Sequence, residues 1–485
     1  MGKKIIIILV LLVVIGGAYL FLKTNFGPQN TWLKGIGKDL YHIHFEKIIQ
    51  NKEDSTYIAA GYERGVKLGE YKMVFAKINQ VGEVVWSKVL DNDFGKIINS
   101  ITFSGGKIVD DKNVLFTGWI WMEDESRGTQ EIPLIKISPA GEIIMSKVFS
   151  MENGRMIGYS IDKARDGGFI ISGTIFYTNE IGGGDSDALL IKTDSQGKIE
   201  WAKTFDQDNL YDLAYFVVSA SDGSFWVAGR SADQEGGEEF GARHFFNKES
   251  AFLMKLDKQG NILWQKIFEG DLGQARLSII KELQDKNFLA IGETYSYPDN
   301  LRSQIFITKI DSQNGEFIWA KMPEIDNFYQ GGSAIEDQGG NLIVATSAGK
   351  TIGGIGGAFK PVLMKIDKED GEILWLKIFE RSGNGIFFDV SNSFNDNYII
   401  TVGKSNSYNK EGYDQSIIGQ FDEGGSLAGC PFLKDKKPSE INVLDFAPQF
   451  RSQTLKQRDT KLIERSSKLV LKDFFLDKIV EVCPQ

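Results

Sequence analysis

Cysteine, histidine and proline are scarce in this chain. Among 485 residues there are 2 cysteines, 3 histidines and 10 prolines, against 53 glycines and 33 phenylalanines. With so few cysteines and histidines, no zinc-binding spacing is present. Few prolines together with many glycines and aromatic residues favour β-strands joined by tight turns.

A net positive charge and several common catalytic motifs are lacking as well. The formal net charge is −10, and the body is more acidic still without the three lysines of the N-terminal segment. Because an acidic protein with no basic run repels phosphate backbones, we expect no nucleic-acid partner. The sequence has no G-x-S-x-G, H-E-x-x-H or P-loop motif, so it carries no signature of those enzyme classes.

One long apolar run stands at the N-terminus. Residues 5–22, IIIILVLLVVIGGAYLFL, are uncharged and lie between Lys4 and Lys23. A helix of this length nearly crosses a hydrocarbon core of about 30 Å. Although Gly16-Gly17-Ala18 resembles a cleavage site, the run is longer than that of a cleaved signal peptide, so we expect an anchor over residues 1–24. The lysines before it predict an extracytoplasmic body, at the cell surface or in the periplasm.

A phrase of the form G-x-φ-φ-W-x-K recurs through the body. Its anchor residues, spaced by 55 to 63 positions, are Trp86, Met145, Trp201, Trp264, Trp319 and Trp375. Such a period indicates a repeat with room for four short strands. In one copy, YFVVSAS (215–221), SFWVAG (224–229), AFLMKLD (251–257) and NILWQKIF (261–268) are the predicted strands. Four antiparallel strands with apolar residues on both faces predict a β-propeller blade.

The two ends of the repeat array complement each other. Trp32 begins an extra fourth strand at the N-terminal end, and the third strand at residues 416–422 is followed by no Trp. Pairing the two closes the ring and removes exposed edges. We therefore predict an all-β, seven-bladed β-propeller over residues 25–429, with a tryptophan as a flat filler between neighbouring blades.

A C-terminal extension, residues 430–485, follows the array. Its polar residues and apolar pairs fit either a helix or a set of strands along the outside of the propeller. Cys430 and Cys483, the only cysteines, lie here. In an exported protein we expect them to form a disulfide, with two free thiols as the alternative.

The repeat resembles a known family. The form D-x-x-x-G-E-x-x-W occurs at residues 311–319 and 367–375, and it resembles the tryptophan-docking motif of PQQ-like β-propeller repeats. Residues 182–205 also look like repeats of secreted bacterial and archaeal propellers, and the resemblance spans about residues 31–425. It implies the propeller fold; the family includes quinoprotein dehydrogenases, many with adjacent cysteines, and cofactor-free scaffolds. No adjacent cysteines occur here, so we expect no cofactor.

Three patterns are candidates for chemistry, each with a plainer interpretation. His42 and His44 fall on one face of a strand, as Zn²⁺ or Cu²⁺ ligands would, but structural or solvated histidines are favoured and no metal is expected. Asp185-Ser-Asp187 fits a Ca²⁺ loop, yet such residues also form ordinary turns. Lysines recur in the third strands and after each Trp; they suit an anionic ligand, but packing and pairing with acids of the turns explain them better.

The loops between the second and third strands are long and unlike one another. Because variable loops on a repeated scaffold usually hold the binding site, we place binding in the longest, residues 230–250. Its candidate binding residues are Glu235, Glu238, Glu239, Arg243, His244, Phe245 and Phe246.

We expect a membrane-anchored, monomeric binding or scaffolding module for a protein or cell-envelope polymer, without catalytic residues. The alternatives are a PQQ-like oxidoreductase, a polysaccharide-acting enzyme and a structural component of the cell surface.

Overall fold

The computed structural model describes much of the chain from residue 31 onward. The described residues are 31–37, 42–52, 54–64, 71–92, 98–109, 112–122, 129–152, 154–177, 186–207, 210–233, 249–270, 273–296, 303–325, 328–329, 332–349, 359–380, 385–393, 398–405, 415–445, 449–451, 455–466, 469–473 and 478–481. The predicted anchor over residues 1–24 lies outside them. Within these ranges, no helix has the length and apolarity needed to cross a membrane.

The described residues form an all-β structure with one short 3₁₀ turn, and four-stranded antiparallel units follow one another along the chain. Strand β1 (Trp32–Gly37) comes first and belongs to the last unit. Unit A holds β2 (His42–Asn51), β3 (Thr56–Arg64), β4 (Tyr71–Ile78) and β5 (Val84–Asn92). Unit B holds β6 (Ile98–Val109), β7 (Asn113–Met122), β8 (Thr129–Ile137) and β9 (Ile143–Ser150). Unit C holds β10 (Gly154–Lys163), β11 (Phe169–Tyr177), β12 (Ser186–Thr193) and β13 (Ile199–Asp206).

The remaining units repeat this order. Unit D holds β14 (Leu210–Ser219), β15 (Phe225–Asp233), β16 (Glu249–Leu256) and β17 (Ile262–Glu269). Unit E holds β18 (Gly273–Glu282), β19 (Phe288–Ser296), β20 (Ser303–Ile310) and β21 (Phe317–Glu324). Unit F has a divided first strand, and holds β22 (Phe328–Tyr329), β23 (Ser333–Glu336), β24 (Leu342–Gly349), β25 (Phe359–Ile366) and β26 (Ile373–Phe379). Unit G holds β27 (Gly385–Asn392), β28 (Tyr398–Ser405), β29 (Gln415–Asp422) and, as its fourth strand, β1.

The core lies between the faces of neighbouring units, because both faces of each unit are apolar. Trp226 of unit D stacks on Phe288 of unit E, with ring centroids 3.8 Å apart. Units A and G are also in contact: the Phe45 backbone N–H donates to Ser416 Oγ at 2.7 Å. The predicted pairing of the N-terminal strand is found, with Trp32 opposite Gln420 in β29. The arrangement is that of a β-propeller.

The repeated tryptophans join successive units, as predicted. Each repeat-anchor side chain packs on a turn glycine of the next unit, where an added Cβ would lie 2.5–3.3 Å from it. The pairs are Trp32–Gly82, Trp86–Gly141, Met145–Gly197, Trp201–Gly260, Trp264–Gly315, Trp319–Gly371 and Trp375–Gly425. All seven glycines have φ between +68° and +79°, a region that disfavours residues with a Cβ. The glycine therefore provides both the turn and the space for the ring.

The C-terminal extension forms strands along the outside of the units. These are β30 (Leu433–Lys436), β31 (Asn442–Asp445), β32 (Gln449–Arg451), β33 (Lys456–Asp459), β34 (Ile463–Ser466), β35 (Leu469–Asp473) and β36 (Lys478–Glu481), with a 3₁₀ turn at Pro438–Glu440. We call them the belt. Each pairs antiparallel with a fourth strand, in the order F, E, D, C, B, A, G. Of the two sequence-based alternatives, the set of strands is the one found.

Candidate functional site at the first strands

A β-bulge interrupts the first strand in six of the described units. The pairing with the second strand skips one residue in each, at Glu46, Ser104, Tyr159, Tyr215, Ser278 and Phe388. In unit F, where the first strand is divided, Gly332 holds the corresponding place. We call these seven positions the bulge ring. A bulge re-aims a side chain, so each unit presents one residue out of the regular alternation.

A glycine of the second strand makes room for the bulge. A Cβ on Gly229 would lie 2.0 Å from the carbonyl oxygen of Leu213, and one on Gly61 would lie 1.7 Å from that of His44. The first-strand carbonyl thus occupies the space that a side chain would need. Unit F has Thr346 at this position and a glycine, Gly332, in the first strand instead. Gly332 lies between the two parts of that first strand, β22 and β23.

Four side chains of the bulge ring face a space that water reaches. Glu46, Tyr159, Tyr215 and Phe388 are each partly exposed, although the residues next to them in sequence are mostly buried. First strands contact one another between most successive units, so these side chains lie on the side of the units where the first strands meet.

Glu46 has a strongly perturbed carboxyl group. Burial raises its pKa to about 7, against the smaller opposing effect of the positive charges on Lys47 and Lys404. A carboxyl that keeps some solvent contact and still has a high pKa lies in a narrow space surrounded by protein. Lys404 belongs to unit G, and its Nζ lies 5.9 Å from the ring centroid of Phe388.

Two tyrosines of the bulge ring form the start of a polar chain. Tyr159 and Tyr215 meet edge to face, with centroids 5.2 Å apart, and the guanidinium of Arg230 lies 5.7 Å from the centroid of Tyr215. Arg230 Nη1 in turn lies 3.1 Å from a carboxylate oxygen of Glu249. Burial raises the pKa of Tyr159, and the neighbouring Tyr215 adds to this. The positive charge of Arg230 acts in the opposite direction but is the smaller effect. Tyr159 is therefore a neutral hydroxyl at physiological pH.

This chain ends at the base of the predicted binding loop. Arg230 and Glu249 belong to the strands on either side of residues 234–248. All seven predicted loop residues, Glu235, Glu238, Glu239, Arg243, His244, Phe245 and Phe246, lie outside the described residues. The Arg230–Glu249 ion pair thus connects Tyr215 with the strand that enters again after that loop, while Asp233, at the start of the loop, lies opposite Leu210.

Three aspartates are buried at the same end of units C and D. Asp187, Asp206 and Asp212 are at most 3% exposed. The backbone N–H of Gln207 donates to Asp212 Oδ2 at 2.7 Å, and Arg458 of the belt donates to Asp206 Oδ2 at 2.8 Å. Burial raises the pKa of Asp212 to about 8, helped by the charges of Asp206 and Asp187. Asp212 is therefore largely protonated near neutral pH.

Both histidines of the candidate metal pair lie on strand β2. His44 is buried, and its Nδ1 is hydrogen-bonded to the Tyr62 hydroxyl at 2.6 Å. The rings of His42 and His44 are 6.3 Å apart at nearly a right angle. Across the described part of the chain, no group of three or more potential ligands is placed to hold a metal ion. Of the candidate Ca²⁺ loop, Asp185 lies outside the described residues, and Asp187 accepts a hydrogen bond from Tyr177 at 2.9 Å.

The two rows of lysines have different partners. Third-strand lysines pair with acids of the short turns, as expected, for example Lys365 with Asp337 at 2.6 Å. Several lysines after the Trp pair with belt acids instead: Lys147 with Glu464, Lys321 with Asp445 and Lys377 with Asp435. This second set of ion pairs, which attaches the belt, was not predicted from the sequence.

The bulge ring was also missed. Its residues differ in type, so they leave no repeated letter in the sequence. The signal that could have located them lies in the second strand, 14 or 15 positions after each bulge-ring residue. It is a glycine in six units and Thr346 in unit F.

Comparisons with known proteins show distant likenesses of fold. No protein-family model and no curated protein matches the chain. A protein of unknown function from Dyadobacter fermentans is 10% identical, with a TM-score of 0.42 over 80% of this chain and 97% of the other. The soluble aldose sugar dehydrogenase of Escherichia coli is 10% identical, with a TM-score of 0.34 over 65% and 95%. The endo-arabinanase of Bacillus licheniformis is 12% identical, with a TM-score of 0.28 over 69% and 97%.

Proposed function

We propose that the chain is a closed, seven-bladed β-propeller that binds a cell-envelope polymer at the long-loop end of its axis. Residues 1–24 would hold it at the outer side of the membrane. The contact between units A and G and the seven joints on turn glycines, six made by Trp and one by Met145, support a closed ring. Its role is that of a binding or scaffolding module.

The stack of Tyr159, Tyr215 and Arg230 carries the proposal. Aromatic faces offer flat, adaptable contact area for sugar rings or extended chains, and their hydroxyls supply hydrogen bonds. The stack lies on the first-strand side of the units, and the Arg230–Glu249 ion pair connects it to the strand that follows residues 234–248. A ligand held by that loop would therefore meet the aromatic residues directly.

The experiment is cosedimentation of the full-length protein in detergent with purified envelope polysaccharide. We expect Tyr215→Ala to reduce binding at least about tenfold, because it removes one stacking surface and frees Arg230. Ser278→Ala, at the same bulge position of unit E, is the matched control and should bind as the wild type does. Equal binding by the two variants would contradict the site.

A second candidate, a polysaccharide-acting enzyme, rests on Glu46. A partly exposed carboxyl with a pKa near 7 suits a general acid. Glycoside hydrolysis needs a second carboxylate beside it, and among the bulge-ring residues Glu46 alone is acidic. The binding module is for that reason the better supported. Turnover in a glycan panel that disappears in Glu46→Gln would reverse this preference.

A further inference from the structure

The belt visits every unit once and returns to the unit from which it starts. It leaves unit G after β29, where the N–H of Ala428 donates to the Thr31 hydroxyl just before β1. Its strands then pair with units F, E, D, C, B and A in turn. The last strand, β36, pairs with β1 and brings the chain back to unit G, with Lys34 opposite Glu481.

The links between belt strands are short. Two to five residues separate one belt strand from the next. At about 3.3 to 3.6 Å per residue such links span roughly 7 to 18 Å, which is less than twice the ~10 Å spacing of stacked sheets. Each step can therefore reach only the adjacent unit, and the path has to follow the circumference.

Both ends of the belt carry a cysteine. Cys430 packs beside Leu433 on the apolar cluster of units F and G, and its sulfur is disulfide-bonded. The sequence has only one other cysteine, Cys483, two residues beyond β36 and outside the described residues. Within one chain Cys483 is therefore the one cysteine with which Cys430 can pair, and 52 residues separate the two.

We infer that the Cys430–Cys483 disulfide closes the belt into a covalent hoop around the propeller, which slows opening of the ring. The inference rests on the closed ring proposed above. To separate two neighbouring units, a closed hoop has to lose its pairing with several fourth strands together. An open belt can peel from one unit at a time. The hoop thus acts on the rate of unfolding, as a constraint that is present in the folded protein.

The test opens the hoop in two separate ways. In one sample a dithiol reduces the disulfide of the folded full-length protein. In the other a protease site inserted at residues 446–448, between β31 and β32, is cut while the disulfide stays intact. In the control, the same protease sequence is inserted within residues 234–248 instead and is cut there, which measures the effect of chain cleavage alone. Unfolding in guanidinium is followed by tryptophan fluorescence.

We expect reduction and the belt cut each to speed unfolding by a similar factor, at least about tenfold, and the control cut to change it little. If reduction speeds unfolding and the belt cut does not, the disulfide is a local cross-link and the hoop is wrong. If neither treatment changes the rate, the hoop is also wrong. Failure of the closed ring itself would appear separately, as a solution-scattering profile unlike that of a compact disc.

Discussion

The indole of Trp319 lies on Gly371 of the next unit and donates its Nε1–H to the carbonyl oxygen of Lys368 at 2.9 Å. The indole thus fills the space beside the glycine and donates a hydrogen bond to a carbonyl of the same turn. The same relation recurs at Trp32, which donates to the carbonyl of Gln80 at 3.0 Å. The units are joined turn by turn, and each joint can be tested alone.

We predict that Gly371→Ala destabilises the protein more than Gly223→Ala. Both glycines have positive φ, so both variants lose about 1 kcal/mol to backbone strain. At position 371 the new Cβ would also lie 2.8 Å from the Trp319 ring, whereas nothing lies within 4 Å at 223. Overpacking should add about 1 to 3 kcal/mol, measurable by chemical denaturation. Equal losses in the two variants would show that the joint is loosely packed.

We predict that Trp319→Phe costs more than Trp264→Phe. Trp319 makes the hydrogen bond to Lys368, while the buried Nε1 of Trp264 has no hydrogen-bond partner among the residues that the structure describes. Removing an unsatisfied donor is nearly free, whereas removing a satisfied one loses about 1 kcal/mol. Denaturation of the two variants under one condition provides the comparison. A larger loss at 264 would mean that its indole nitrogen is hydrated.

The joints could be predicted from sequence because they repeat. Trp, Gly and the turn acids recur at fixed offsets, for Gly260 and Trp264 as for the other copies, and the strands follow from them. The bulge ring could not be predicted in this way. Its geometry depends on the backbone and on a glycine in another strand, which leaves Glu46 and Tyr215 free to differ.

For a related reason the sequence left the belt open between a helix and a set of strands. Its strands have three to five residues and attach through backbone hydrogen bonds, which impose no alternating apolar pattern. The acids that pair with the repeated lysines, such as Asp445, are recognisable only once the register is known. The residues predicted for binding, 235–246, lie outside the described residues, so that prediction stays open.

We predict that Gly229→Ala both destabilises the protein and weakens ligand binding. The new Cβ would lie 2.0 Å from the Leu213 carbonyl oxygen, a backbone atom that cannot move without removing the bulge. Tyr215 would then lose its place above Arg230. The loss of stability should exceed that of Gly223→Ala, in the same hairpin, by about 2 kcal/mol or more. A Gly229→Ala protein with normal stability and binding would show that the bulge is unnecessary.

We predict that Asp212→Asn stabilises the protein increasingly as the pH rises from about 4 to 8. Burial raises the pKa of Asp212 in the folded protein to about 8, so the folded state holds a proton that the unfolded chain releases near pH 4. Stability therefore falls with pH across this window and levels off above it. Asparagine mimics the protonated acid, can still accept from the Gln207 N–H, and faces Asp206, Asp187 and Ser231 without a charge.

Asp222→Asn provides the opposite sign in the same unit. Burial tends to raise the pKa of Asp222, but hydrogen bonds from Ser224 and Lys255 outweigh it and hold the pKa below the usual value. Its stabilising contribution is present at neutral pH and is lost as the pH falls, so the asparagine variant should differ from wild type near pH 7 and converge with it in acid. Denaturation midpoints from pH 4 to 9 should diverge for Asp212→Asn as the pH rises. If they stay parallel to wild type, Asp212 is already ionised when folded, and a bound cation or a rearranged carboxylate cluster must then balance its charge.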